Sequence, residues 1–571
     1  MALHGIEPGS PGRPDRVGQC PVLPQQAEIC GKRHTKAYRC GQGVILVLAD
    51  PNLAAPSRRT SCCSLFQCIP GLLVVFSVSS CTWTSLPAVH LLAVCRIVGI
   101  FIGLFGSTLA FPVAIGLIYG EQATSSFLLP MLSYLALGSV LFIIGRPLMN
   151  QNHLGTRDGF LIVASFWILL TLLGAWPMVL GFGMDLVDAL FESASGVTTT
   201  GATVLTGLDE MPKSLLFYRQ LLQWLGGMGL IVLGVAVLPM LGIGGMQLYR
   251  AETPGPVKGE KLTPRLAATA RILWMIYLGL TAICALAYWF AGMSAFDAIA
   301  HSLSTLSTGG FSTHDASLAY FDSAVIESIA VVFMLLAAIN FGVHFTVLYQ
   351  RRPLHYLRDI ESRSFLAIVL TVTILISLVL LTEGGYNGWH DSLRDSVFEV
   401  VSVVTSTGFG IVDFTHWPDF LPLMLIMISF IGGCGGSTAG GMKVMRLLLL
   451  VQQGILEIRQ LLHPHARLPL RLGGRLVDSS MVQGVWGYFA MYVTAFAILT
   501  LVMIHAGLDE TSAFAAVATS MNNLGPGLGQ VAYTFQDVSD LGKIVSVIAM
   551  LLGRLEIFTL LVLLSPDFWR D

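Results

Sequence analysis

The chain has 571 residues, of which 54% are hydrophobic and only 12% charged, with a mean hydropathy of +0.73. Soluble proteins carry about 25% charged residues, so a soluble globular fold is excluded and an all-α polytopic membrane protein is predicted. A net charge of −2 offers no basic surface for nucleic acid, and eight of the ten cysteines precede residue 96, so the body of the chain holds no disulfide framework or metal ligand set.

Residues 1–88 stand apart as a low-order extension rich in Pro, Gly, Arg and Cys, such as EPGSPGRPDR and PNLAAPSRRT. Cys20, Cys30 and Cys40 recur every ten residues, a spacing that matches no zinc site. The apolar run Ile69 to Val78 is shorter than the ~20 residues a span requires. We advance the hypothesis that translation starts on a valine codon at Val89, leaving 1–88 untranslated; finding peptides from 1–88 by intact mass or N-terminal sequencing rejects it.

From residue 91 the pattern becomes regular. Ten spans are predicted near 92–119, 127–145, 158–181, 219–247, 266–292, 323–349, 364–382, 419–460 (interrupted), 484–507 and 541–566. Basic residues collect in alternate loops: Arg146 and Arg157; Arg250, Lys258, Lys261, Arg265 and Arg271; Arg351, Arg352, Arg358 and Arg363; Arg459, Arg467, Arg471 and Arg475. By the positive-inside rule these loops are cytoplasmic. Arg96 and Arg570 put both ends of the body there too, a parity that ten spans satisfy.

The outer loops repeat a pattern. DALFESASGVTTTGA (188–202), DAIAHSLSTLSTGGF (297–311), DSVFEVVSVVTSTGFG (395–410) and SAFAAVATSMNNLGPG (512–527) each join an apolar stretch of about twelve residues to small or hydroxyl residues and a glycine. The central glycines are read as Gly201, Gly309, Gly408 and Gly525, spaced by 108, 99 and 117 residues. Twelve residues cannot cross a bilayer, so each stretch predicts a half-length helix re-entering from outside. Asp188, Asp297, Asp395 and Ser512 are expected as N-caps. The partly negative C-terminal ends then face inward, where four of them favour a cation. Glycine permits backbone that aims carbonyls at a central ion; the competing reading is that these glycines serve only close helix packing. Glu192 and Glu399, on the half-helices, read as packing or mouth residues rather than catalytic carboxylates, and no HExxH or GxSxG motif is present.

A second feature is GGCGGSTAGGMK, Gly432 to Lys443, inside what should be one helix from Leu421 to Leu462. Each mid-helix glycine costs ~1 kcal/mol relative to alanine, so a flexible plug is predicted. The P-loop pattern is not met, because Met442 separates Gly441 from Lys443 and Val444 follows, so no nucleotide is expected on this chain. Arg554 lies within the last span, a position that is costly unless functional or paired, and Glu556 is at the wrong spacing to face it. Lys443 and Arg446 read equally well as snorkelling residues at a cytoplasmic helix end.

Four span–pore-helix–span units on one chain, preceded by two extra spans, resemble the Trk/Ktr/HKT superfamily of potassium transporters, and within it the TrkH family. FYRQLLQWLGGMGLIVLGVAVLPMLGIGGMQLYRAE (217–252), GGFSTHDAS (309–317), FIGGCGGSTAGGMKVMR (430–446), NNLGPGLG (522–529) and GRLEIFTLLVL (553–563) carry the likeness, and TSTGFG (405–410) is similar to the TVGYG filter of potassium channels. The resemblance implies two extra spans in 89–157 and pore repeats at 158–255, 256–358, 359–475 (with the gating loop) and 476–571 around a pseudo-fourfold pore. It implies a potassium-binding filter of Thr199, Thr200, Gly201, Ser307, Thr308, Gly309, Ser406, Thr407, Gly408, Asn523, Leu524 and Gly525. Relatives that pass sodium often carry serine at the first glycine, so Gly201 favours potassium. A gate is implied at Gly435, Gly436, Gly440, Gly441, Lys443 and Arg554. The implied setting is the bacterial inner membrane, amid membrane lipid, as a homodimer with a TrkA-like cytoplasmic NAD- or ATP-binding regulatory subunit. Channel-like conduction and proton- or sodium-coupled symport both fit, and a sodium or unselective cation transporter of the same fold is the alternative.

Overall fold

A computed structural model describes residues 37–40, 44–47, 68–69, 72–73, 91–121, 124–145, 156–236, 266–383, 385–386, 388–418, 420–465 and 468–569. Two units separate by their contacts, Met1–Pro87 and Ala88–Asp571. In the first, β1 (Ala37–Cys40) pairs antiparallel with β2 (Val44–Val47), and β3 (Cys68–Ile69) with β4 (Leu72–Leu73). The sequence reading placed no strands there; Cys20, Cys30 and most of 1–88 lie outside the described residues.

The second unit is helical. α1 (Leu91–Thr108) runs on into α2 (Ala110–Tyr119), and α3 (Thr124–Ile144) returns beside α1. A Cβ at Gly138 would lie 2.7 Å from the Gly99 carbonyl, so small residues let these backbones touch. Then follow α4 (Thr156–Phe182), the short α5 (Leu186–Val197) and α6 (Lys213–Ala236). Next come α7 (Leu266–Phe290), short α8 (Ala295–Ser307), α9 (Ala324–Ala338) and α10 (Phe341–Gln350). A one-turn α11 (His355–Arg358) leads to α12 (Ile360–Thr382), α13 (Trp389–Val404), α14 (Leu421–Ser429) and α15 (Val444–Leu462). After the hairpin of β5 (Arg471–Leu472) and β6 (Arg475–Leu476) come α16 (Ser479–His505), short α17 (Glu510–Asn522), α18 (Asp540–Arg554), α19 (Phe558–Leu564) and α20 (Pro566–Trp569).

Among the described residues, six helices are long and apolar enough to cross a membrane, or eight counting two bent pairs. Large apolar side chains such as Leu117, Phe290, Leu370 and Leu501 point outward, the arrangement a lipid-facing surface requires. This is an all-α membrane protein in its main body. The expected span at 219–247 is α6 as far as Ala236, and the rest lies outside the described residues.

Two bends depart from the straight spans expected from sequence: 99° between α9 and α10, and 112° between α18 and α19. At the first, Asn340 caps α10 by accepting from the Gly342 amide at 2.7 Å. The groups freed by the break are met by the glycine-rich segment, since the Cys434 amide donates to the Ala338 carbonyl and the Phe341 amide to the Gly436 carbonyl. Broken backbone at membrane depth needs such protein partners.

The expected caps of the short helices are corrected. Asp185, Ser294 and Asp509 accept from the amides of Val187, Asp297 and Ser512, and α13 starts at Trp389 after an uncapped Gly388. Asp188, Asp297, Asp395 and Ser512 lie farther in. Asp188 binds Lys543 Nζ at 2.6 Å, and Asp395 accepts from the Tyr386 hydroxyl at 2.8 Å. Three of the helix starts stand three residues earlier than expected and the one at Gly388 seven earlier, all where the chain leaves its turn in extended geometry.

Candidate ion pathway

The four short helices end in loops of one backbone design. Thr199, Thr308, Ser406 and Asn523 adopt positive φ between 51° and 57°, and two residues on Gly201, Gly310, Gly408 and Gly525 adopt φ between 80° and 100°. In each loop the intervening amide reaches back five residues: Thr200 to Ser195, Gly309 to Ser304, Thr407 to Ser402 and Leu524 to Thr519, all at 2.8–2.9 Å. The sequence reading therefore sets the second loop's ring glycine one residue early. Gly310, not Gly309, is the counterpart of Gly201, and Gly309 stands where Thr200 and Thr407 stand.

These loops touch in a closed cycle. A Cβ built on Gly201 would lie 2.2 Å from the Gly309 carbonyl oxygen, on Gly310 2.0 Å from that of Thr407, on Gly408 2.1 Å from that of Leu524, and on Gly525 2.7 Å from that of Thr200. No side chain fits at any of the four, and the positive φ is costly for other residues.

Threonine hydroxyls stiffen two loops alike, Thr198 with Thr200 and Thr405 with Thr407, both at 2.7 Å. Gly309 has no side chain, and Gln223 of α6 fills the space. Its amide donates to the Gly309 carbonyl at 2.6 Å, and its oxygen accepts from the Phe311 amide and the Ser304 hydroxyl. Sequence reasoning missed Gln223, although a polar residue within an apolar run is itself a signal.

Below the cycle, the segment from Phe430 to Lys443 interrupts α14 and α15, where the glycine run predicted a break. It lies against the inner ends of the short helices. Thr438 Oγ1 donates to the Leu306 carbonyl at 3.1 Å, the Gly440 amide donates to Ser406 Oγ, and a Cβ on Gly440 would lie 2.1 Å from the Asn522 carbonyl oxygen. The Gly435 amide donates to Glu361 at 2.7 Å, and Gly436 packs on Asn340. Gly441, like Gly432, has positive φ where the two ends of the segment cross. Glu361 was not anticipated from the sequence, being remote in the chain.

Arg554, at the end of α18, is buried beside this segment. Its guanidinium donates to the Thr438 carbonyl at 2.9 Å and the Gly226 carbonyl at 3.1 Å, over the Trp167 ring. Glu556 instead pairs with Arg446, which stacks on Tyr488. Lys443 is buried with Nζ on the Ala439 carbonyl. Neither Lys443 nor Arg446 is a snorkelling residue.

Beside the N-terminal turn of α8, His314 joins two loops. It meets Asp209 and lies 3.6 Å from Asp297, stacked on Tyr320, while Asp315 accepts from the Gly207 and Leu208 amides. Burial opposes charging of His314, but the hydrogen bonds to Asp297 and Asp209 outweigh it and raise its pKa.

Carbonyl-rich loops closing a cycle inside a multi-pass helical body define a membrane transport protein for cations. The TrkH family, described as cation transport protein, matches residues 135–570. The potassium uptake protein TrkH of the Vibrio parahaemolyticus Trk system is 50% identical over 483 residues, 84% of this chain and 99% of that protein. TrkH of Escherichia coli K12 is 48% identical over 484 residues, 84% and 100% of the two chains. The crystal structure of the potassium transporter TrkH from Vibrio parahaemolyticus superposes with a TM-score of 0.78 at 47% identity, over 84% of this chain and 100% of that one. The chain belongs to the TrkH family of the Trk/Ktr superfamily, a family of transporters and not of enzymes.

Proposed function

We propose that the chain carries potassium into the cell across the bacterial inner membrane, through a filter formed where the four glycine loops meet. The observation that carries this is the closed cycle of contacts, in which each ring glycine lies against a carbonyl of the next loop. Backbone carbonyls so arranged replace the hydration shell of a monovalent cation. The short helices add their partly negative ends, and relatives at about half identity are named for potassium uptake. On this reading ten spans comprise two extra ones in 89–157 and four repeats at 158–255, 256–358, 359–475 and 476–571, with both ends of the body cytoplasmic.

The filter comprises Thr199, Thr200 and Gly201; Thr308, Gly309 and Gly310; Ser406, Thr407 and Gly408; and Asn523, Leu524 and Gly525. Ser307, one step earlier, closes its own helix by donating to the Leu303 carbonyl at 2.8 Å. The segment with Gly435, Gly436, Gly440, Gly441 and Lys443 forms a gate with Arg554, which fastens it to α6. A TrkA-like NAD- or ATP-binding subunit on the cytoplasmic face, acting on a homodimer, would release it.

Rubidium and sodium fluxes into proteoliposomes test the reading. Rubidium flux well above sodium flux, abolished by Gly310→Ser, is expected. Equal fluxes, or no rubidium flux with the regulatory partner present, overturn it.

A further inference from the structure

Behind the ring lies a second set of contacts. Counting back nine residues from Gly201, Gly310, Gly408 and Gly525 gives Glu192, His301, Glu399 and Ala516, all at most 1% exposed. Three of the four reach the strand that leaves their own loop. Glu192 accepts from the Thr203 hydroxyl at 3.0 Å and the Val204 amide at 3.2 Å. His301 contacts the Ser312 hydroxyl through Nε2 at 2.9 Å, and its Nδ1 faces the Asp297 carbonyl, which can only accept; Nε2 therefore takes the serine proton. Glu399 accepts from the Ile411 and Val412 amides at 3.0 and 3.4 Å. Ala516 has no polar side chain to make such a tie, and the fourth strand is held farther from its ring glycine, by the Gln530 amide on Ser512 of its own helix and the Phe535 amide on the Thr203 carbonyl of the first loop.

We infer that Glu192, His301 and Glu399 are positioning residues of the filter, each tying the strand leaving its loop to its own short helix. The inference rests on the carbonyl-ring reading above. The tied residues follow the ring glycine by two to four places, so the tie limits how far the preceding carbonyl can move toward the axis. Arg219 reinforces the first tie and joins it to the second loop, with Nε on Glu192 at 2.6 Å, a second nitrogen on Thr203 Oγ1 at 3.0 Å, and its charge over Phe311. Loosening a tie lets carbonyls close around a smaller ion, so the loss falls on selectivity before it falls on flux. The fourth loop lacks a tie at this position, and its exit strand meets its own short helix farther out, at Ser512.

The test is the rubidium-to-sodium flux ratio of the full chain in proteoliposomes. Glu399→Leu removes the acceptor of two amides, and the ratio should fall about tenfold, which corresponds to about 1.4 kcal/mol. Glu399→Gln keeps an oxygen at that place and should restore most of the ratio. An unchanged ratio in a monodisperse Glu399→Leu protein, beside a selective wild type, overturns this inference alone; an unselective wild type overturns the carbonyl ring itself. Should Glu399→Leu aggregate, Ser312→Ala takes the hydroxyl from His301 and should lower the ratio about threefold; no change there overturns the inference equally.

Discussion

At the glycine ring, four separate loops each contribute one glycine with φ of 80° to 100° against a neighbour's carbonyl. The segment beneath it is one stretch of chain, Phe430 to Lys443, held by backbone bonds to Ala337, Ala338 and Phe341 and by side chains from elsewhere: Glu361, Ser406 and Arg554. The ring has near-equivalent parts, and none can change without straining its neighbours. The inner segment has no counterpart, and its ties are hydrogen bonds that can be exchanged for others. On the function proposed above, the ring is a rigid sieve over a detachable plug, and selectivity and gating fall to different parts of the chain.

The largest effect should come from attacking the ring. Gly408→Ala meets the Leu524 carbonyl at 2.1 Å. Left-handed strain alone costs about 1–2 kcal/mol, so rubidium flux should fall at least tenfold; wild-type flux would show that the ring is not tight. Next comes the plug. Arg554→Gln loses charged hydrogen bonds to Thr438 and Gly226, each worth about 1.5–3 kcal/mol. Flux without the regulatory subunit should rise about tenfold with the rubidium-to-sodium ratio unchanged, and a changed ratio would merge the two regions. Gln223→Leu should do the reverse, lowering the ratio by a few-fold, since neutral hydrogen bonds contribute about 1 kcal/mol each, and leaving gating alone.

The smallest effect is expected at His314. Its pKa is raised above 6.5, so the protonated ring's tie to Asp209 and Asp297 is fully present below that pH and is lost as pH rises through the raised value. Thermal melting of the purified protein should therefore show a fall in stability above pH 6.5 that His314→Gln removes. Asp209 is half-exposed, so screening keeps the change small. A melting curve with the same pH dependence in both proteins would detach this tie from the ring.

Hydropathy and the repeated glycine segments made most spans, the short helices and the interrupted helix legible, because each depends on local composition and length. Three features escaped because they depend on partners far along the chain. The sequence STGG matched TTG and STG at its first glycine, whereas the backbone angles and the contact with Thr407 assign the ring position to Gly310. The cap positions slipped by three residues at Asp188, Asp297 and Ser512 and by seven at Asp395, because Asp188, Asp297 and Asp395 are good capping types that are engaged instead with Lys543, Thr313 and Tyr386. The α9–α10 bend has no glycine or proline at Ile339 or Asn340; the groups that satisfy it come from residues 434–436. Gln223, Glu361 and Arg219 stood in view as polar residues in or beside apolar runs, but their partners could not be named.

The cycle of contacts has a seam, and its position follows from chain order. Thr200 meets Gly525, Asn523 donates to Thr200 at 3.0 Å, and Phe535 donates to Thr203. The first loop is thus completed by one made more than three hundred residues later. During synthesis the first three loops emerge before the fourth, which supplies the neighbour that closes the cycle. A nascent chain halted before α17 holds only three of the four loops, so the ring closes only after Glu510–Asn522 and the loop that follows have been made.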